Sequence, residues 1–209
     1  MNDVAAHPAK LPELAWLLDV TESRQPLSET SPIWVRHGEI HAGPPIPQPE
    51  RHPYCEFGIV LEGEGVSMVE REEAERWPGD LFLAGPGVPH WGRITKYPLR
   101  FITIFFLPSV VVEMGPQSDG PRILSRFTAR QSLAERLVRP PPPLLRRLTE
   151  LLQEAVVEFA RKRLGREIRL RSLLMEALVP LLRWEDSEGR NIGAEHLEVD
   201  WRPILRTLQ

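Results

Sequence analysis

The chain has 209 residues, of which 42% are hydrophobic and 26% charged, a composition typical of a globular protein with a sizeable core. Its formal net charge of −3 argues against a chain that grips nucleic acid by bulk electrostatics. The single cysteine, Cys55, excludes an internal disulfide, the longest apolar run covers only residues 101–107, and no signal peptide is visible. We therefore expect a soluble, cytoplasmic protein with no membrane association.

The first half of the sequence indicates an arm followed by a β domain. Residues 1–33 are polar and interrupted by proline, and we interpret them as an N-terminal arm with one short helical possibility at PELAWLLDV. Beyond them, short strand-like runs are separated by Gly or Pro turns: WVRHGEIHAG, EFGIVLEGEG, GVSMVERE, DLFLAG, HWGRIT and LRFITIFFL. This spacing predicts a barrel or sandwich, which we assign to residues 34–112, with the acidic stretch VEREEAER as a hairpin turn at its rim.

The second half changes to a helical pattern. Two series of apolar residues recur at i, i+3, i+4 and i+7. They are Leu148, Leu151, Leu152, Ala155, Val156 and Phe159, and then Leu170, Leu173, Leu174, Ala177, Leu178, Leu181 and Leu182. The prolines at 140–143 mark the start of the first helix and Gly165 marks its end, so the sequence predicts an antiparallel two-helix hairpin within a helical segment of residues 113–184.

The hairpin also suggests how the chain associates. The second leucine series is wider than one barrel face is expected to cover, and such a stripe would be an aggregation hazard in water. We therefore predict a homodimer through helices 144–184. Residues 185–209 are interpreted as an acidic linker followed by DWRPILRTLQ, the start of another helix.

Polar residues at the start of two predicted strands are candidates for a site. In an extended chain His52, Tyr54 and Glu56 share one face, and His90 begins a later strand after a glycine-proline turn. Two histidines and a carboxylate from neighbouring strands could bind a metal or form a polar patch in a ligand cavity. The alternative is that each histidine is hydrogen-bonded and structural.

These residues lie in two motifs that resemble those of the cupin superfamily: ERHPYCEFGIVLEG, followed by PGDLFLAGPGVPH. The matching positions are His52, Glu56 and Gly63 in the first motif, and Gly79, Gly87 and His90 in the second. Glu50 stands where the family has its first histidine, and Gly85 stands where proline is usual. Cupins are small β-barrels, so the resemblance implies a mainly β fold, a cupin-like barrel followed by C-terminal helices. It also implies a divalent transition metal (Zn, Fe, Mn or Ni) held by His52, Glu56, His90 and Glu50.

The order of barrel, hairpin, linker and helix start further resembles the N-terminal half of AraC-type transcription regulators. In that family the barrel binds a small effector, the hairpin mediates dimerisation, and a C-terminal helix-turn-helix domain binds DNA. The resemblance implies that DNA is bound only through a C-terminal domain absent from this chain. The expected effector pocket comprises His52, Tyr54, Glu56 and His90, with Trp34 and Phe82 as aromatic walls. Two alternatives remain: a metal-dependent cupin enzyme of isomerase or dioxygenase type, and a metal-free storage or scaffold cupin.

Overall fold

The computed structural model describes residues 21–22, 25–42, 49–112, 119–127 and 131–190. The first strands are β1 (Thr21–Glu22), β2 (Ile33–Ile40), β3 (Glu50–Arg51), β4 (Cys55–Val69), β5 (Glu72–Arg76), β6 (Leu81–Ala84) and β7 (His90–Phe106). They are followed by helices α1 (Ser109–Val112), α2 (Gly120–Ser125) and α3 (Leu133–Arg136), strand β8 (Leu137–Val138), and helices α4 (Pro142–Arg161) and α5 (Arg166–Ser187). The predicted N-terminal helix and the predicted helix start at 200–209 lie outside the described residues.

Two long antiparallel strands, β4 and β7, form the centre of the sheet. They pair from Cys55 opposite Phe106 to Val69 opposite His90. Strand β2 extends the sheet beside the second half of β7, and β5 and β6 pair with opposite ends of β4. Register shifts interrupt the β4–β7 ladder between residues 60 and 65. Such bulges bend and twist a strand, which allows one sheet to wrap around a cavity. The predicted fold class, a mainly antiparallel β domain followed by helices, is confirmed.

The two central strands are longer than the sequence predicts, because residues 63–65 do not end β4 and residues 96–98 do not end β7. β4 continues through residues 63–65, where Gly63 has a φ of 85° and a Cβ at that position would lie 2.4 Å from the carbonyl oxygen of Pro98. The glycine therefore permits a close approach of two backbones within the sheet. In the acidic stretch that we predicted as a turn, only Glu70 and Arg71 form the turn, and Glu72–Arg76 is strand β5.

Side chains of the central strands alternate between two environments. On β4, Cys55 and Phe57 are fully buried and belong to a hydrophobic core shared with α4 and α5, whereas Glu56, Gly58 and Val60 line a cavity. Strand β7 alternates in the same way. Its core-facing residues are Ile102, Ile104 and Phe106, and its cavity-lining residues are Phe101, Thr103 and Phe105. The hairpin thus packs on the back of the strands whose front forms the cavity wall.

The helix boundaries differ slightly from the prediction. Helix α4 begins with proline in its first turn, as expected, but it ends at a left-handed Lys162 (φ 48°), and Gly165 is the N-cap of α5. Helix α5 runs three residues past the predicted end at 184. The buried carboxylate of Glu185 explains the extension, since Nε and Nη2 of Arg126 donate hydrogen bonds of 2.8 and 2.6 Å to it. This ion pair joins the end of α5 to the segment after α2.

The leucine stripe of α5 is covered within one protomer. Five of its leucines are at most 1% exposed: Leu170, Leu173, Leu174, Leu178 and Leu181. Our premise that one barrel cannot cover this stripe is wrong, because the outer face of the sheet and α4 together enclose it. These leucines are therefore not available to a second protomer.

We expect Leu174→Ala to lower the free energy of unfolding by about 2–5 kcal/mol, because it removes a fully buried side chain and leaves a cavity. Ile168→Ala, on the same helix but at a position 75% exposed, should change it by less than about 0.5 kcal/mol. Urea denaturation followed by circular dichroism measures both values. Equal, small effects at the two positions would contradict the packing of α5 described above.

Candidate functional site

Three side chains converge at the edge of the cavity. Nε2 of His52 and Nε2 of His90 each lie 3.1 Å from the same atom, Oε2 of Glu56. One ligand atom from each residue falls within 4.8 Å of the others. Both histidines are nearly buried, at 4% and 5% exposed. The structure thus brings together three of the four residues predicted to hold a metal.

Backbone contacts orient both histidine rings. Nδ1 of His52 lies 2.9 Å from the carbonyl oxygen of Tyr54, and Nδ1 of His90 lies 2.9 Å from that of Val88. A carbonyl oxygen only accepts, so each Nδ1 carries a hydrogen and donates it. In the neutral ring Nε2 then has a lone pair, and both lone pairs are directed at the carboxylate of Glu56.

A second backbone contact joins the two histidine-bearing segments. The amide of Gly87, in the turn before β7, donates a 2.8 Å hydrogen bond to the carbonyl oxygen of His52. Because His52 precedes β4 and His90 begins β7, this contact holds the two entrances to the central strands together. The glycine of the second motif therefore helps to position the histidine of the first.

The carboxylate of Glu56 and the two histidine Nε2 atoms need a positive charge among them. Burial alone would raise the pKa of Glu56, but hydrogen bonds from His52 and His90 outweigh it and hold that pKa well below its usual range. Burial alone would lower the pKa of His90, but the hydrogen bond and charge of Glu56 reverse this and raise it. Either protons on the histidines or a cation among the three groups can meet this requirement.

The donor set fits a divalent transition metal. Imidazole nitrogen and carboxylate oxygen are ligands that Zn, Mn, Fe and Ni accept. Two ligands that each lie about 2.1 Å from one ion are about 3 Å apart, which is close to the observed 3.1 Å separations. Glu50, the predicted fourth ligand, is exposed on β3 opposite His90 and lines the cavity. In the part of the chain that the structure describes, it is not a member of the group of three.

The cavity beside this group has a volume of about 500 Å³. Glu50, Glu56 and His90 line it, as does Phe82, whose ring centroid lies 5.5 Å from that of His90. A cavity of this size is in the range of small-molecule sites. Of the six predicted pocket residues, Glu56, Phe82 and His90 therefore contribute to its wall, together with the predicted metal ligand Glu50.

The other predicted pocket residues lie behind the wall. His52 is not among the lining residues, and Tyr54 stacks on it with ring centroids 4.2 Å apart and planes 8° apart. The hydroxyl of Tyr54 accepts a 3.0 Å hydrogen bond from the amide of Gln25. Trp34 packs edge-on against Phe159 of α4, with a centroid separation of 4.8 Å. Tyr54 thus supports the ring of His52, and Trp34 joins β2 to the hairpin.

Several polar lining residues were missed by sequence reasoning. Arg36, Ser67, Arg76 and Asp80 all line the cavity. Ser67 could have been found from the alternation of β4 if its full length had been recognised. Arg76 could not have been found in this way, because it ends the acidic stretch that the sequence predicts to be a turn.

Gly85, which replaces the usual proline of the second motif, has a structural reason. A Cβ at this position would lie 1.4 Å from the carbonyl oxygen of Phe127. The segment after α2 therefore packs directly on the backbone of residue 85, and no side chain fits between them. The departure from the motif follows from how the helical segment contacts the barrel.

Residues 36–105 match the family model described as Cupin domain, and the chain thus contains a cupin domain followed by helices. A comparison with curated proteins found no match. No helix in the described residues is long and apolar enough to cross a membrane.

Solved structures with the same fold belong to different functional classes. The AraC-like transcriptional activator CuxR is 13% identical, with a TM-score of 0.41, and the match covers 74% of this chain and 56% of that one. The DMSP lyase DddQ from Ruegeria pomeroyi DSS-3 is 23% identical (TM-score 0.31; 36% of this chain and 38% of that one). Procruciferin, an 11S globulin from Brassica napus, is 17% identical (TM-score 0.32; 36% and 22%). The match thus spans little more than half of the activator and less of the other two, and these likenesses show the fold alone.

The lowered pKa of Glu56 and the raised pKa of His90 predict how stability depends on pH in the presence of EDTA. The Glu56 carboxylate stabilises the fold above the ordinary value of 4.5, and this is lost as pH falls through its lowered pKa. Protonated His90 stabilises the fold fully below the ordinary value of 6.5, and this is lost as pH rises through its raised pKa. The contribution of the pair should therefore be largest between pH 4.5 and 6.5.

Urea denaturation of the wild type and of Glu56→Gln, across this range and up to alkaline pH, measures the effect. We expect the difference in unfolding free energy to be largest inside the window and to shrink at alkaline pH. Glu73→Gln, at an exposed position of β5, is the matched control and should show a small difference at every pH. A difference for Glu56→Gln that does not change with pH would contradict the assigned contacts.

Proposed function

We propose that this chain is the small-molecule-sensing and dimerisation part of an AraC-type transcription regulator, whose DNA binding belongs to a separate helix-turn-helix domain. One observation carries the proposal: the hairpin packs on one face of strands β2 and β7, and the opposite face of the same two strands lines the cavity. A ligand that changes the position of these strands acts on the hairpin without an intermediate element. Such a ligand shifts the chain between two arrangements to the extent that its affinity for them differs.

An ion pair between a buried carboxylate and an exposed guanidinium supports this coupling. The side chain of Asp80 is 1% exposed, lines the cavity, and accepts hydrogen bonds of 2.6 and 2.9 Å from Nε and Nη2 of Arg139. Arg139 lies three residues before Pro142, where α4 begins. On the same turn, a Cβ at Gly79 would lie 2.8 Å from Cδ2 of Leu145 in the first turn of α4. The cavity wall and the start of the hairpin are thus held to each other by charge and by packing.

We further propose that His52, Glu56 and His90 hold a divalent transition metal at the edge of the cavity. The supporting observation is that Nε2 of both histidines lies 3.1 Å from one carboxylate oxygen of Glu56. A bound metal would supply a Lewis acid that polarises or anchors an oxygen of the ligand. The protein residues orient the site, since Tyr54 and Val88 fix the two rings through their carbonyl oxygens.

Elemental analysis of protein purified without chelator tests the metal. We expect close to one equivalent of a transition metal in the wild type and in His41→Ala, whose histidine is exposed and outside the group of three. Glu56→Ala should reduce the metal to less than about a tenth of an equivalent, because one of three ligands is removed. Less than about a tenth of an equivalent in the wild type would refute the metal and leave a ligand pocket without one.

A metal-dependent cupin enzyme is the second candidate function. It is favoured by the fact that Glu56 and His90 both line a cavity of about 500 Å³, so a substrate could reach a metal there. Catalysis does not, however, require the hairpin that forms the core with the back of the sheet. The two candidates differ in whether the chain must associate through the hairpin to work.

The solvent face of the hairpin offers a surface for that association. Ion pairs link the two helices there, Arg147 with Glu176 and Arg169 with Glu154. Exposed apolar residues cluster towards the turn between the helices: Val157, Leu164 and Ile168, at 45%, 107% and 75% exposed. We propose that the homodimer forms through this end of the hairpin, in place of the buried leucine stripe.

A fusion assay tests the sensing and dimerisation role. The chain is fused to a DNA-binding domain that represses a reporter gene only as a dimer. We expect the wild-type fusion to repress, and Ile168→Glu to return expression to the level of the unfused domain, because a charge is placed in the apolar contact. Tyr97→Glu, at an exposed apolar position of the barrel, is the matched control and should repress like the wild type. A folded wild-type fusion that does not repress would refute the dimerising role and favour the enzyme.

A further inference from the structure

The inner wall of the cavity contains hydrogen-bond donors without partners. Oγ of Ser67 and Nε of Arg76 are both buried, and neither has a hydrogen-bond partner in the described part of the chain. Ser67 is 2% exposed. The indole Nε1 of Trp91, another lining residue, is likewise buried without a partner in the described residues. A buried donor left without an acceptor is unfavourable, and more so when the group is charged. A cavity that retains such donors is suited to a ligand that supplies acceptors.

The sheet register places the donors of Ser67 and Arg76 side by side. Ser67 lies opposite Gly92 on β7, and Arg76 lies opposite Gly65, two residues earlier on the same face of β4. A Cβ at Gly92 would lie 3.5 Å from Nη2 of Arg76, so the guanidinium of Arg76 extends across this glycine. The absence of a side chain at Gly92 therefore lets Arg76 and Ser67 present their donors at one place on the wall.

The charges around the cavity leave Arg76 without a hydrogen-bonded counter-ion. Asp80 is bound in bidentate fashion by Arg139 and also accepts a 2.8 Å hydrogen bond from the amide of Trp77. Glu56 is the shared partner of the two histidines. Both carboxylates act on Arg76 only through space, and burial lowers its pKa despite their opposing effect. Because a guanidinium stays charged at physiological pH, it requires an anionic acceptor from elsewhere.

The other residues of the cavity wall restrict the chemistry of the rest of the ligand. Aromatic side chains of Phe82, Trp91, Phe101 and Phe105 line the cavity, together with the aliphatic side chains of Ile94 and Leu99. Such a surface favours an apolar or aromatic body. The other lining arginine, Arg36, is exposed and lies over the ring of Phe101, with its Cζ 5.2 Å from the centroid. Arg76 is therefore the buried cation of the wall, and Ser67 is the donor beside it.

We infer that the cavity binds a small organic carboxylate with an apolar or aromatic body, and that the guanidinium of Arg76 and the hydroxyl of Ser67 bind its carboxylate group. This inference rests on the proposed function, since it names the chemical class of the molecule that the cavity would sense. Planar guanidinium and carboxylate groups form paired, charge-assisted hydrogen bonds, which a neutral amide cannot reproduce.

Fluorine NMR titrations with 4-fluorobenzoate and its neutral counterpart 4-fluorobenzamide test the inference. The experiments use the full chain in EDTA, so that a carboxylate cannot be anchored by a metal. We expect the wild type to bind the carboxylate about 10- to 100-fold more tightly than the amide, the range that a charge-assisted hydrogen bond provides. Arg76→Gln should abolish this preference, and Ser67→Ala should reduce it.

Two further variants separate recognition from folding. Arg76→Lys retains the charge and should retain part of the preference. Arg71→Gln makes the same charge change at the exposed β4–β5 turn and should behave like the wild type. Thermal unfolding of each variant shows that it is folded before its affinity is compared.

The outcomes distinguish the inference from the proposed function. Equal affinity for carboxylate and amide, or a preference that persists in a folded Arg76→Gln, would overturn the inference and leave a cavity that binds a small neutral molecule. No binding of either probe by the folded wild type would also overturn it. The sensing and dimerisation role is decided by the fusion assay, whose result depends on the hairpin and not on Arg76.

Discussion

The alternation of side chains along β4 and β7 is the constraint on which the rest of this structure depends. Successive residues of a strand point to opposite faces, so a strand that is buried on both sides must supply two different surfaces. Here Cys55 and Phe57 belong to the hydrophobic core shared with the hairpin, while Glu56 and Gly58, which alternate with them, form part of a cavity wall. A shift in register by one residue would place Glu56 in the apolar core and Phe57 in the cavity. Core and site are therefore fixed together.

Buried charges connect the elements that apolar packing alone would leave loosely related. Glu56 joins the segment before β4 to the first residue of β7 through His52 and His90. Asp80 and Arg139 join the cavity wall to the residues before α4, and Arg126 and Glu185 join the region after α2 to the end of α5. Removal of one member of a buried ion pair leaves the other charge uncompensated, which is strongly unfavourable. These pairs consequently specify relative positions of barrel and helices, and the first two lie beside the cavity.

One fold can serve many unrelated functions, so the cupin domain does not by itself choose among the candidate functions. The choice rests on the site and on what is attached to it. A polar group that could hold a metal serves catalysis and ligand binding equally well. The hairpin packs on the face of the sheet opposite the cavity. Sensing requires such a direct contact, and catalysis does not. The orphaned donors of Ser67 and Arg76 concern the ligand itself and are relevant to either function.

The sequence by itself determined the order of a β domain and a two-helix hairpin, because strand and helix periodicities are local properties of the chain. It also identified His52, Glu56 and His90, since motif spacing places them on neighbouring strands. Only the tertiary structure decided which surfaces the apolar faces of these elements pack against. The leucines of α5 carry a helical repeat whether a second protomer or the sheet covers them, and only the packed chain shows that the sheet does. Arg76 and Ser67 are equally undistinguished in the sequence. Their proximity depends on the pairing of β4 with both β5 and β7, a long-range contact that no local pattern encodes.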